Sequence, residues 1–112
     1  MTAAITTPTI DLKAMRISAS HTCRMMKALS NPDRLLLLCQ ISQGESCVSD
    51  LEAALDIHQP TLSQQLSVLR DEGLVDTRRD GKRIYYTVSS TQALAVMRVL
   101  YEQFCVPKSK RA

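Results

Sequence analysis

The apolar residues change their spacing at Gly73, and that change restricts the chain more than any other feature of its sequence. Before it, Leu62, Leu66 and Leu69 recur at the interval of a helical stripe. After it, Leu74-Val75-Asp76-Thr77-Arg78 and Arg83-Ile84-Tyr85-Tyr86-Thr87-Val88 alternate in twos, as half-buried strands do. Asp80-Gly81 between them predicts a tight two-residue hairpin turn. A helix that runs straight into an antiparallel hairpin leaves few arrangements for 112 residues, a length that suits one domain.

The residues before Pro60 narrow the choice. Met15, Ala19, Cys23, Met26 and Leu29 fall at helical spacing and predict a first helix from Leu12 to Leu29. Ser30-Asn31-Pro32 reads as the start of a second, with Ser30 or Asn31 as cap, Leu35 to Leu38 and Ile41 within it, and Gly44 ending it. Ser49 is expected to cap a short third helix to about Leu55, with Leu51, Ala54 and Leu55 inward. Asp56 to Gln59 form a turn, and Pro60 opens the fourth helix. Ser89 or Ser90 caps a last helix to about Cys105, lined on one side by Leu94, Met97, Leu100, Tyr101 and Phe104. The order α-α-α-α-β-β-α predicts a mainly helical winged helix-turn-helix fold with a β-hairpin wing. Residues 1–11 are expected to be a flexible arm, 12–106 the DNA-binding and dimerisation domain, and 107–112 a basic tail.

With one Phe, three Tyr and no Trp the core must be aliphatic, and so small a domain often completes its core by dimerising. No stretch of apolar residues is long enough to span a membrane, and Met1 to Ile10 lacks the charged start of a secretory signal. The expected location is the cytoplasm, where the four cysteines would be reduced thiols and not a disulfide framework.

The helix after Pro60 carries uncharged hydrogen-bonding groups where a solvated face usually carries Glu and Lys. Thr61, Ser63, Gln64 and Gln65 are the base-reading candidates, since Gln can bond adenine bidentately and Ser or Thr can reach several base edges. Gln59, Pro60, Ser67 and Arg70 complete the expected contact surface, with the first-turn N–H groups available to phosphate. Arg78, Arg79, Lys82 and Arg83 cluster at the hairpin and are expected to lie along the DNA backbone, although Asp76 and Asp80 dilute the cluster. The implied partner is double-stranded DNA. A thiol redox enzyme is disfavoured by the missing Cys-x-x-Cys and the lack of a βαβ pattern, so no enzymatic activity, cofactor or metal is expected.

Leu29-Ser30-Asn31-Pro32-Asp33-Arg34-Leu35, Gln59-Pro60-Thr61-Leu62-Ser63-Gln64-Gln65-Leu66, Val68-Leu69-Arg70 and Gly73-Leu74-Val75 resemble the ArsR family of bacterial repressors over roughly residues 20 to 105. The resemblance implies a homodimer built from the first and last helices, bound to an imperfect inverted repeat and released by an inducer. Arsenic and cadmium sensors of that family carry Cys-Val-Cys where this chain has Cys47-Val48-Ser49, and one thiol is too few for a tight soft-metal site. The His and carboxylate zinc site of the family's last helix is also missing, for no His follows His58. Cys39 and Cys105 instead resemble the paired thiols of the BigR/SqrR branch. That resemblance implies a sensor of persulfides, other reactive sulfur species or a related oxidant, whose two thiols join as a disulfide or polysulfide and release DNA. The alternative is a repressor that senses a thiophilic metal or metalloid, such as arsenite, through cysteine ligands. Cys23 and Cys47 are read as incidental.

Overall fold

The computed structural model describes residues 7–107; the expected arm up to residue 6 and the basic tail from residue 108 lie outside the described residues. The elements run α1 (Leu12–Leu29), α2 (Pro32–Ser42), β1 (Ser46–Cys47), α3 (Val48–Leu55), α4 (Thr61–Asp71), β2 (Val75–Asp80), β3 (Arg83–Val88) and α5 (Thr91–Phe104). This is a winged helix-turn-helix, with one strand more than the sequence predicts.

Helices α1, α2 and α5 each begin where a short polar side chain meets the free N–H groups of the first turn. Asp11 accepts from the N–H of Lys13 at 2.9 Å. Asn31 accepts from the N–H of Arg34 at 3.1 Å, with Pro32 in the first position of α2. Ser90, not Ser89, caps α5 by accepting from the N–H of Ala93 at 3.1 Å. Helix α3 departs from expectation: it starts at Val48, and Cys47 takes the cap position assigned to Ser49. Asp50 there reaches back to accept from the Cys47 N–H and thiol, both at 3.2 Å. Those bonds to Cys47 hold the Asp50 carboxyl below its ordinary pKa.

The sheet order is β1-β3-β2, antiparallel throughout. Ser46 lies opposite Tyr86 and Cys47 opposite Tyr85, so β1 ties the start of α3 to the wing. In the hairpin Asp80 pairs with Arg83. The two loop residues are therefore Gly81 and Lys82, one position beyond the predicted pair. Gly81 adopts φ 63°, a left-handed conformation that glycine enters without strain.

The core is aliphatic, as the composition requires. Leu37 and Leu38 of α2, Leu51 of α3, and Leu62, Leu66 and Leu69 of α4 are fully buried around Leu74, Val75, Ala93 and Met97. Burying one such leucine is worth about 1.5–3 kcal/mol. One inward prediction fails, and one apolar side is only partly covered in the single chain. Ala54 is exposed, and the apolar side predicted for α5 divides: Met97 is buried, while Leu94, Tyr101 and Phe104 are exposed. Phe104 is 81% exposed in the single chain, and along α1 Leu12 and Ile17 are 75% and 86% exposed.

Candidate nucleic-acid interface

Helices α3 and α4 and the turn 56–60 form the helix-turn-helix. Asp56 ends α3 in the left-handed conformation at φ 55°. His58 bonds its carboxylate at 2.6 Å and lies 3.7 Å from Glu52, two acids that raise the imidazole pKa, Asp56 the more. Gln59 is exposed, and its side-chain carbonyl accepts from the N–H of Ser63 at 3.0 Å and organises the first turn of α4. Pro60 occupies the cap position, and Thr61 is the first residue of the helix.

The buried stripe Leu62, Leu66 and Leu69 turns the opposite side of α4 outward. Ser63, Gln64, Ser67 and Arg70 are exposed there, and Thr61 is half-buried at their edge. Gln65 lies on the flank. Its side-chain carbonyl accepts from Arg34 at 2.9 Å, and Arg34 also donates to the carbonyls of Ala28 at 2.7 Å and Lys27 at 3.1 Å. This arginine, which sequence reasoning places only within a motif, joins the end of α1 to α4. A second tie is absent from the sequence reading altogether. Arg24 of α1 donates to both carboxylate oxygens of Glu72, at 3.1 and 3.3 Å. Neither pairing leaves a local sequence signal.

The wing cations are not equivalent. Arg78 is fully engaged: it forms a fork with Glu45 at 2.6 Å for each bond, and its guanidinium lies 4.7 Å from the centre of the Tyr85 ring. The Glu45 carboxyl falls below its ordinary pKa chiefly through that hydrogen bond, and the Arg78 guanidinium rises for the same reason. Arg83 lies beside the Tyr85 phenol. Arg79 donates only to the Gly81 carbonyl at 3.3 Å, and Lys82 stands exposed at the hairpin tip. Arg79 and Lys82 are thus the cations most available to a phosphate.

The thiols separate by environment. Cys47 is buried and bonded, while Cys23, Cys39 and Cys105 are exposed. Cys39 opens on a groove of about 540 Å³ between α2 and α5, lined among others by Leu36, Leu94, Met97 and Tyr101. Its Sγ lies 3.9 Å from Sδ of Met97. Burial of the thiol raises the Cys39 pKa first, and the charge of Cys105, just past the end of α5, raises it further. Among the described residues no three His, Cys, Asp or Glu side chains gather as a metal ion would require, and no helix is long and apolar enough to cross a membrane.

Residues 31–77 match the family described as bacterial regulatory protein, arsR family. The biofilm growth-associated repressor of Agrobacterium fabrum is 48% identical over 99 residues, spanning 88% of this chain and 85% of its own. The crystal structure of the transcriptional repressor BigR from Xylella fastidiosa superposes with a TM-score of 0.83 at 41% identity, over 88% of this chain and all of that one. The homodimeric winged helix-turn-helix DNA-binding domain of a possible ArsR-family regulator from Mycobacterium bovis gives 0.69 at 30% identity, over 85% of this chain and 86% of that one. With the helix-turn-helix, the wing and these relatives in agreement, the chain belongs to the arsR family of bacterial regulatory proteins.

Proposed function

We propose that this protein is a homodimeric transcriptional repressor that binds an inverted-repeat operator and releases it when Cys39 and Cys105 are joined by reactive sulfur. Thr61, Ser63, Gln64 and Ser67 read or approach base edges in the major groove, with Arg70 on a base or phosphate. Arg79 and Lys82 hold the wing to the backbone. Arg83 stands second to them, with Arg78 held by Glu45 and Gln59 set beside the first turn of α4. Gln65 serves to position α4.

The observation that carries the switch is that Cys39 of α2 opens on the groove against α5, and that Cys105, just past the end of α5, is exposed as well. The chemistry balances with an organic persulfide, R–S–SH, as oxidant. One cysteine thiolate takes the outer sulfur and RSH leaves, giving Cys–S–SH. The other thiolate attacks the inner sulfur of that group, the protein disulfide forms, and hydrosulfide leaves. Two thiols have lost two electrons, and the persulfide is reduced to RSH and hydrogen sulfide. If both cysteines are first persulfidated, the same closure leaves a trisulfide, which spans a wider gap than the Cα separation of about 4.4–6.8 Å that a disulfide accepts. Either bridge fastens the end of α5 to α2 and thereby shifts the dimer that spaces the two α4 helices.

The test treats the reduced protein with an organic persulfide and follows intact mass and operator affinity together. The native chain is expected to lose two hydrogens, or to lose them and gain one sulfur, as affinity falls. The Cys39→Ser and Cys105→Ser variants should keep their affinity. A doubly substituted protein that still releases DNA on persulfide treatment would overturn the switch and leave DNA binding standing.

A further inference from the structure

Helix α4 meets the core through Leu62, Leu66 and Leu69, a single stripe that resists separation but leaves rocking about its own line open. Two arginines close that freedom. Arg34 joins the last carbonyls of α1, on Lys27 and Ala28, to the Gln65 side chain in the middle of α4. Arg24 joins the preceding turn of α1 to Glu72 at the C-cap of α4. Gln65 and Glu72 are separated by two helical turns, so the anchors stand about 10 Å apart on one face of α4. One anchor would permit a pivot; two fix an orientation. Among the described residues α1 and α4 both pack on α2, to which Arg34 belongs, and the two arginine pairs add a direct side-chain connection between α1 and α4.

We infer that Arg34 and Arg24, received by Gln65 and Glu72, are positioning residues that lock the pitch of α4 to α1 and so set the half-site spacing this protein accepts. The inference rests on the reading of α4 as the groove helix of a dimer closed partly through α1. In such a dimer α1 sits beside the symmetry axis, and its attitude is common to both protomers. A recognition helix fixed rigidly to α1 can address its partner's half-site at one separation only. Each base pair of extra spacing moves the target about 3.4 Å along the axis and turns it by about 35°. The Arg24–Glu72 fork is exposed and adds little to stability. Its effect belongs to orientation, and it should appear in spacing discrimination before it appears in melting.

The experiment uses the full-length reduced protein. Selection from a pool of randomised duplex DNA yields the preferred inverted repeat. Binding is then measured by fluorescence anisotropy at one salt concentration, to that duplex, to the same half-sites set one base pair closer or farther apart, and to a single half-site. The double variant Gln65→Leu, Glu72→Gln leaves the bonds of Arg34 to Lys27 and Ala28 in place. Its affinity for each duplex is taken relative to its own affinity for the single half-site, and on that scale its penalty for altered spacing is expected to shrink roughly tenfold. The exchanged pair Arg24→Glu, Glu72→Arg should recover the part lost by Glu72→Gln alone, and this comparison also serves if the double variant does not fold. An unchanged spacing penalty in the folded variants overturns the inference while the groove-helix reading survives. A native protein that selects no sequence overturns that reading, and the inference with it.

Discussion

At the scale of single residues the protein sorts like groups by their neighbours. Cys39 carries a raised pKa, so its reactive thiolate is scarce at neutral pH and grows as pH climbs toward that value. Burial is the larger cause and the Cys105 charge the smaller. Cys105→Ser should therefore quicken iodoacetamide labelling of Cys39 most above neutrality, without bringing it to the rate of a free thiol; peptide mass spectrometry across pH 7–9.5 checks this. The wing arginines are sorted in the same way. Arg79→Ala and Lys82→Ala should weaken binding to all duplexes alike and flatten the salt dependence by about one unit for each phosphate no longer neutralised. Arg78→Ala should alter that slope less, because Arg78 is spent on Glu45 and Tyr85. Anisotropy titrations over a range of salt distinguish the two behaviours.

At the scale of elements, caps decide where helices begin. Asn31→Ala removes the acceptor for the Arg34 N–H and should cost about 1 kcal/mol, a melting point lower by several degrees in differential scanning calorimetry. The turn between α3 and α4 adds a pH dependence. The imidazole pKa of His58 is raised in the fold, chiefly by Asp56, so its stabilisation is fully present below the free value of about 6.5. That stabilisation is lost as pH rises through the higher folded value. Between pH 6 and 8 the native protein should therefore lose more melting temperature than His58→Gln does. The helices and the wing are legible in the sequence because periodicity and caps are local. Strand β1 is not, since Ser46 and Cys47 are too few to show a period, and their strand character comes from Tyr85 and Tyr86 far along the chain. The outward side of α4 is legible in composition. The bonds that hold Gln65 and Gln59 are not, for Arg34 reaches the Gln65 carbonyl from across the fold and the Gln59 carbonyl accepts from the helix's own first turn.

At the scale of the molecule, the single chain extends 57 × 38 × 21 Å, with most of α1 and the far end of α5 standing clear of the core. The side chains of Ile17, Tyr101 and Phe104 are exposed in the single chain, and the proposed homodimer would cover them. Phe104→Glu should shift the protein toward monomer in sedimentation velocity and lower operator affinity at a fixed total concentration, with secondary structure retained by circular dichroism. The division into a predicted helical body and wing survives at this scale. The apolar side predicted for α5 is only partly buried in the single chain, because periodicity marks an apolar face and not what covers it.

The bare length of α1 has a consequence for the cell as well. For the proposed homodimer, where the protein is scarcer than the dimer dissociation constant, the active form grows with the square of the amount synthesised. Operator occupancy then responds steeply to gene dosage, and a twofold change in copy number alters the active form by about fourfold.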